Sequence, residues 1–394
     1  MDRNWLGHGR ILGPGASTHR DTGSTVGRRE WLACCAVLAG SLALPPRARA
    51  LTVAARAPVS GDDALVRLCF NENPHGPPAP AVRAAEAALR RANRYADQEE
   101  FDRLATLIAV GEGVTPAHVL LGTGSSELLG LAAVAFLHDG GELLTAHPVF
   151  PHIVNMAERI GAPVRRIPLD AAGVHDLEAM AGAVSPGTRL VNVCNPNNPT
   201  GTIAHGAKLR AFCARIAPQV PVLVDEAYHE LVDAPEHASM IPLVRDGMPV
   251  IVLRTFSKAY GMAGYRVGYA IAPPALIERL RVHQSTDLGP APLAAATAAY
   301  QDQGFATRSR RLVRAARELT ARGFDAMGIR YIPSHTSFIW FESGSTRRNL
   351  PVRLHARGVR ISWDVKPLTG DWARVSIGTE AEMRRFLREL REVW

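Results

Sequence analysis

Short apolar runs that alternate with helical stretches constrain the fold of this chain most. We predict helices from Pro80 to Ala92 and from Glu99 to Val110. The apolar runs that follow lie at His118 to Leu121, Glu142 to Ala146, Leu190 to Val193, Val222 to Val224 and Val250 to Leu253. Parallel strands need crossover connections, so the alternation predicts an α/β fold with a mostly parallel sheet covered by helices. Ligands of such sheets gather outside the carboxyl ends of the strands, so functional residues should directly follow these runs.

The pattern changes after about residue 285. A long Arg-rich helix is predicted from Gly304 to Met327, followed by strands at Ser337 to Phe341 and Arg374 to Ile377 and by a terminal helix. This order is typical of a smaller α+β domain. With 394 residues, 47% of them hydrophobic, the chain is long enough for two packed domains. The predicted organisation is a signal peptide at 1–50, an arm and helix at 51–94 that join the small domain, a large domain at 95–285 and a small domain at 286–394.

The N-terminal segment has the layout of a cleaved secretory signal. Arg28 and Arg29 precede an apolar run from Trp31 to Leu44, which is followed by two prolines and by an Ala-Arg-Ala sequence that ends at Ala50. The arginine pair resembles the twin-arginine export motif. The run is shorter than the roughly 20 residues that span a bilayer. We therefore expect a periplasmic protein without stable membrane insertion; the alternative is a cytoplasmic protein with a disordered extension.

The charge distribution gives no reason to expect a nucleic-acid partner. Half of the formal charge of +8 comes from residues 1–50, which hold seven arginines and three acidic residues. The remainder has neither a basic run nor interleaved aromatic residues, and phosphate tracking needs clustered cations. Cysteine spacing predicts neither a disulfide framework nor a metal site.

Two segments that follow apolar runs suggest an anion site and a polar turn. Residues 122–127 read GTGSSE and open a helix, so Gly124, Ser125 and Ser126 could cradle a phosphate at a helix N-terminus. Ordinary helix capping is the other interpretation of such residues. Residues 195–201 read NPNNPTG, a stiff turn that would hold asparagine side chains over the strand ends.

Two further segments carry titratable groups. Asp225 ends an apolar run, with Tyr228 three residues later, and a buried carboxylate there needs a cation such as a protonated pyridine nitrogen. Residues 257–268 read SKAYGMAGYRVG, an apolar and glycine-rich setting that lowers the pKa of Lys258 and favours the neutral amine. Arg266 could pair with a phosphate. Lysine occurs elsewhere only at positions 208 and 366, in contexts unlike this one.

Taken together, these segments resemble the fold-type I aminotransferases, and within them the histidinol-phosphate aminotransferase branch, over roughly residues 65–394. Residues 71–77 (NENPHGP) are similar to the N-terminal arm of that branch, and Arg94 with Tyr95 is similar to its tyrosine segment. Residues 373–379 (ARVSIGT) are similar to its C-terminal arginine motif. The resemblance implies a large domain with a mostly parallel sheet between helices, a smaller α+β domain, and pyridoxal 5'-phosphate as cofactor.

The resemblance also implies a role for each matching residue. Lys258 would bind the cofactor as an imine, Asp225 would pair with the ring nitrogen, and Asn198 and Tyr228 would bind the ring hydroxyl. Phe150 would stack on the ring. The phosphate would be held by Gly124, Ser125, Ser126, Ser257 and Arg266.

Substrate and partner follow from the same resemblance. Arg374, together with Asn198, would bind the α-carboxylate of an amino acid, whose amino group passes to a 2-oxo acid. Tyr95 would reach the cofactor phosphate of a neighbouring subunit, which implies a homodimer. The alternatives are a histidinol-phosphate aminotransferase proper, another reaction of the same cofactor such as decarboxylation, elimination or oxidation, and a non-catalytic binding module.

Two positions depart from the branch. His75 stands where the branch usually has a tyrosine. Ser362 stands where the branch has an arginine that helps to bind the substrate phosphate, and Arg360 lies two residues earlier on the same face of an extended segment. These departures favour an α-amino acid or an exported secondary metabolite over histidinol phosphate.

Overall fold

A seven-stranded sheet organises the structure, which is a computed structural model that describes residues 65–344, 349–362 and 372–394. Its strands, numbered along the chain, are β2 Val119–Gly122, β3 Glu142–His147, β4 Val164–Pro168, β5 Thr188–Cys194, β6 Val222–Asp225, β7 Val250–Thr255 and β8 Gly268–Ile271. Their order across the sheet is β2-β8-β7-β6-β5-β3-β4. Only β8 runs antiparallel to its neighbours. The mostly parallel α/β sheet expected from the sequence is therefore confirmed.

Helices cover the sheet. They are α1 Ala79–Leu89, α2 Gln98–Glu112, α3 Ser125–Leu137, α4 His152–Arg159, α5 Leu177–Gly182, α6 Gly206–Ile216, α7 Ile241–Arg245, α8 Pro274–Arg281 and α9 Pro290–Gln301. Side chains of the central strands alternate between two apolar clusters: Val222 and Val224 belong to one, and Leu223 to the other. This alternation is what a strand buried on both faces requires. No helix in the described ranges is both long enough and apolar enough to cross a membrane.

Two small sheets lie in the remaining part of the structure. A three-stranded antiparallel sheet has the order β12-β10-β9, with β9 Tyr331–Ile332, β10 Phe338–Glu342 and β12 Trp372–Ser376. Strand β1 (Val66–Leu68) pairs in parallel with β11 (Val359–Ile361). The associated helices are α10 Gln303–Ala326, α11 Leu350–Ala356 and α12 Glu380–Val393. The signal-peptide prediction concerns residues 1–50, which lie outside the described residues.

The strand ends bring the motif residues to one edge of the large sheet. The turn after β2 begins α3 at Ser125, Asp225 ends β6, and Ser257 lies two residues after the end of β7. A side chain at Gly268, in β8, would place its Cβ 2.5 Å from the backbone nitrogen of Ser125. A glycine is therefore needed where β8 passes the start of α3.

Candidate active site

A cavity of about 330 Å³ opens at this edge of the sheet. Ten of the twelve site residues expected from the sequence line it: Ser125, Ser126, Phe150, Asn198, Asp225, Tyr228, Ser257, Lys258, Arg266 and Arg374. Gly124 lies against the Arg266 guanidinium, which a Cβ at Gly124 would contact. Tyr95 does not line the cavity, and its side chain is 92% exposed. The structure thus brings together residues that are far apart in the sequence.

One end of the cavity is rich in donors. Arg266 Nη1 donates to Ser257 Oγ at 3.2 Å and to the carbonyl oxygen of Ala263 at 3.1 Å. The first turn of α3 adds the hydroxyls of Ser125 and Ser126. A helix N-terminus beside hydroxyls and a guanidinium favours a phosphate. Arg266 itself has a φ of 58°, in the left-handed region.

Asp225 places a carboxylate in the wall of the cavity. It is 4% exposed, and its Oδ1 accepts a hydrogen bond from the backbone N–H of Ala227 at 3.1 Å. Within the described ranges it forms no ion pair with an arginine, lysine or histidine side chain. Burial raises its pKa to about 6, against the opposing charge of Lys258. A cation in the cavity would therefore stabilise the ionised carboxylate, as the protonated nitrogen of a pyridine ring does.

Lys258 reaches into the same space. Its Nζ donates to the carbonyl oxygen of Phe70 at 3.2 Å and lies 5.7 Å from the centre of the Tyr228 ring. Burial lowers its pKa to about 8, with positive charge from Arg374 as the next cause, while Glu72 opposes the shift. At neutral pH the amine is thus neutral far more often than an ordinary lysine, and nucleophilic attack on a carbonyl requires the neutral form.

The hydroxyl of Tyr228 accepts a hydrogen bond from Asn71 Nδ2 at 3.1 Å. Burial raises the pKa of Tyr228, so the phenol stays protonated. Asn71 has a φ of 56°, and its backbone N–H donates to Ser376 Oγ at 2.7 Å. The arm around residue 71 is therefore tied both to the cavity and to the end of β12.

Arg374 projects from β12 into the cavity. Its Nη1 donates to Asn198 Oδ1 at 2.6 Å, and its Nη2 lies 3.4 Å from Ser362 Oγ. The guanidinium carbon lies 5.4 Å from the centre of the Phe338 ring, and the buried Nε has no hydrogen-bond partner in the described part of the chain. Burial lowers the pKa of Arg374. No carboxylate of the described residues pairs with it, so it can bind an anionic ligand.

Phe150 supplies an aromatic wall. Its ring is nearly parallel to that of His152, with 6.3 Å between the ring centres and 11° between the planes. Burial lowers the pKa of His152 and keeps its imidazole neutral. An apolar, uncharged stack at this point suits the face of a flat ligand.

The complete set therefore contains donors for a phosphate, a buried carboxylate without a cation, a reactive lysine and an aromatic face. A sequence model of the family described as "Aminotransferase class I and II" matches residues 63–390. The chain belongs to this family.

Curated relatives agree with this assignment. The aminotransferase is 36% identical over 337 residues to the histidinol-phosphate aminotransferase of Moorella thermoacetica, with 84% of this chain and 85% of that protein covered. It is 38% identical over 323 residues to histidinol-phosphate aminotransferase 2 of Ralstonia nicotianae, with 81% and 86% covered.

Solved structures agree as well. The histidinol-phosphate aminotransferase of Sinorhizobium meliloti in complex with pyridoxal-5'-phosphate has a TM-score of 0.78 and 28% identity, and the match covers 84% of this chain and 91% of that one. A double mutant of Thermus thermophilus aspartate aminotransferase has a TM-score of 0.73 and 25% identity, with 84% and 92% covered. The protein is a pyridoxal-phosphate-dependent aminotransferase, and the prediction of fold, enzyme class and cofactor is confirmed.

Several residues of the site were not singled out by the sequence. Phe70, Asn71 and Glu72 line the cavity, as do Cys194 and Thr255. The arm motif at residues 71–77 signalled that this segment matters but gave no role to its side chains. The sequence signal that could have identified them is the polar pair Asn71 and Glu72 shortly before Pro74 in that motif.

Proposed function

We propose that the aminotransferase moves an amino group from an α-amino acid to a 2-oxo acid, with Lys258 as the residue that binds the cofactor covalently. The observation that carries this proposal is the shared cavity of Lys258, Asp225 and Arg374. Lys258 can bind the aldehyde of the cofactor, Asp225 can pair with its ring nitrogen, and Arg374 can bind the α-carboxylate of the substrate. No other described lysine lines this cavity; Lys208 is exposed in α6.

Each cofactor contact has a candidate residue at the cavity. Ser125, Ser126, Ser257 and Arg266 hold the phosphate, and Gly124 leaves room for the Arg266 guanidinium. Phe150 covers one face of the ring, while Asn198 and Tyr228 serve its hydroxyl. Asp225 keeps the ring nitrogen protonated. The bound cofactor supplies an electron sink for the charge left on the substrate Cα.

Residues of the protein orient the substrate and transfer its proton. Arg374 binds the α-carboxylate of the substrate and orients its Cα–H bond toward Lys258. Burial lowers the pKa of Lys258 to about 8, and its neutral Nζ would take the proton from the substrate Cα and would deliver it to the cofactor carbon that carried the aldehyde. The buried Tyr228 and the half-buried Phe150 line the cavity, and their rings reduce the access of water to this transfer.

Histidinol phosphate is the second candidate substrate, because the relatives from M. thermoacetica and R. nicotianae carry that name. Ser362 argues against it. A serine hydroxyl cannot supply the positive charge that an arginine would offer to a phosphate, and here it contacts Arg374. We therefore favour an α-amino acid.

We further propose a periplasmic homodimer. The arginine pair and apolar run of residues 28–44 support export. The 92% exposure of Tyr95 supports a role for that ring at the site of a second subunit. Mass spectrometry of the periplasmic protein tests cleavage after Ala50, and light scattering of wild type and Tyr95→Ala tests the dimer and the role of the ring.

An absorbance titration tests the reaction. The purified, cofactor-loaded protein is mixed with single amino acids or with histidinol phosphate, without an oxo-acid acceptor, and the visible band is followed. Conversion to the pyridoxamine form by some of them, reversed by a 2-oxo acid, supports the proposal. A visible band that no amino acid converts would contradict it, and histidinol phosphate as the only active amine would favour the second candidate.

A further inference from the structure

We propose that Arg360 is a specificity residue that binds a second anionic group, a carboxylate or a phosphate, at the far end of the substrate. This inference rests on the proposed function, because it assumes that Arg374 takes the α-carboxylate.

Arg360 lies beside the cavity, next to Phe70, which is one of the residues that line it. In the parallel pair of β1 and β11, Arg67 lies directly opposite Arg360, so both side chains share one face. The Arg360 guanidinium carbon lies 5.7 Å from the centre of the Phe70 ring. Phe70 lines the cavity, and its carbonyl oxygen accepts the hydrogen bond from Lys258. Phe70, which is 55% exposed, therefore contacts Arg360 through its ring and Lys258 through its carbonyl oxygen.

The neighbouring thiol supports this placement. Burial raises the pKa of Cys69, and the charge of Arg360 is the largest influence that opposes it, with Arg374 acting in the same direction. Both guanidinium groups are thus close enough to Cys69 to lower its pKa. An extended substrate held by Arg374 at one end would direct its other end toward Arg360.

Of the two arginines that lie opposite each other on strands β1 and β11, only Arg67 has an ion-pair partner among the described residues. Arg67 forms a two-pronged pair with Glu72, at 2.8 Å to Oε1 and 3.2 Å to Oε2. Arg360 has no carboxylate partner within the described ranges. Two like charges side by side on neighbouring strands are unfavourable, and Glu72 neutralises only one of them. A ligand anion at Arg360 would neutralise the other.

Of the two residues that project on this side of the segment, Arg360 and Ser362, only Arg360 can bind an anion by its charge. Ser362 carries no charge, and its hydroxyl faces Arg374. Arg360 precedes it by two residues and projects on the same side of the extended segment. Its planar guanidinium can bind a carboxylate or a phosphate through two parallel hydrogen bonds.

Matched substrate pairs test the proposal. The cofactor-loaded full-length protein, wild type and Arg360→Gln, is assayed in the half-reaction with glutamate against glutamine, aspartate against asparagine, and O-phosphoserine against serine. We expect kcat/KM for the anionic member of at least one pair to fall roughly ten- to hundred-fold in Arg360→Gln, mainly through KM. The neutral members should change less than about threefold. Which pair responds distinguishes a carboxylate from a phosphate.

Two variants guard against a merely structural effect. Arg360→Lys keeps the charge and should recover part of the selectivity, and Arg391→Gln removes an exposed arginine of α12 and should leave it unchanged. Binding of succinate against its half-amide, measured by calorimetry, gives a readout that needs no turnover. Arg360→Gln should lose the preference for the dianion.

The outcomes separate the two proposals. Equal losses for charged and neutral substrates, or no preference for the anionic member in wild type, would overturn the role of Arg360 while leaving the transamination intact. Failure of every amine to convert the visible band in wild type would instead contradict the proposed function itself.

Discussion

Arg374 Nη1 lies 2.6 Å from Asn198 Oδ1, and this hydrogen bond joins edge strand β12 of the three-stranded sheet to the loop after strand β5. The two residues are 176 positions apart in the sequence. The hydrogen bond orients the guanidinium over the cavity, while the remaining N–H groups stay available to a substrate carboxylate. This arrangement makes the site depend on how the small sheet is held against the large one.

Replacement of Arg374 should lower kcat/KM for substrates that carry an α-carboxylate. A hydrogen-bonded charge pair contributes about 1.5–3 kcal/mol, so kcat/KM for an α-amino acid should fall roughly ten- to hundred-fold in Arg374→Gln. An amine that lacks the carboxylate should lose much less. Steady-state kinetics with such a matched pair of substrates checks this, and equal losses for both would contradict carboxylate binding.

Lys258→Ala should abolish turnover without emptying the site. Removal of the proton-transfer group should slow the half-reaction by at least about a thousandfold. Pyridoxal phosphate should still bind through the Arg266 end of the cavity, with a changed absorbance spectrum. Single-turnover absorbance and equilibrium dialysis check both points, with Lys208→Ala as the control because that lysine is exposed in α6. Normal rates in Lys258→Ala would rule out its role.

Asp225→Asn should raise the stability of the cofactor-free protein and lower its activity. The folded-state pKa of Asp225 is about 6, above its ordinary value of 3.8, because burial disfavours the charge. The folded protein therefore binds this proton more tightly than the unfolded chain. The free energy of unfolding falls as the pH rises from about 4 to about 6, and the cost, about 3 kcal/mol, is present in full above that.

Urea denaturation of the cofactor-free protein at pH 5 and pH 7.5 measures this effect. Asp225→Asn should gain stability over wild type at pH 7.5 and gain less at pH 5, while amino-acid conversion falls at least about tenfold because an amide cannot hold the ring nitrogen protonated. Glu178→Gln is a suitable control, since that carboxylate is exposed on α5. A pH-independent difference would show that the burial of Asp225 is not the cause.

Gly124→Ala should weaken cofactor binding specifically. Gly124 has a φ of 85°, and an added Cβ would contact the Arg266 guanidinium. Gly247 has a φ of 76°, and no heavy atom lies within 4 Å of the position that an added Cβ would take there. Gly247→Ala therefore also forces an alanine into a positive φ but lacks the contact. Only Gly124→Ala should raise the Kd for pyridoxal phosphate, by roughly tenfold or more. Fluorescence titration compares the two variants.

The sequence by itself determined the local parts of the site. Apolar runs followed by a glycine-serine turn, by Asp225 and by Lys258 predict strand ends, and parallel strands place their carboxyl ends at one edge of the sheet. Strand β8 was not predicted, because its short apolar run adjoins a glycine-rich loop and periodicity alone cannot assign it to a strand; its antiparallel direction is set by the neighbouring strands. The roles of Phe150, Asn198, Arg374 and Tyr95 came from a family resemblance and remain predictions.

Only the tertiary structure decided which groups meet and what charge they carry. Asn71 reaches Tyr228 from 157 residues away, and Arg67 lies opposite Arg360 through a strand pair that no local pattern announces. The pKa of Lys258 depends first on burial and then on Arg374, which arrives from the other end of the chain. Burial and electrostatic fields depend on distances in space, and a local sequence pattern constrains only neighbours along the chain.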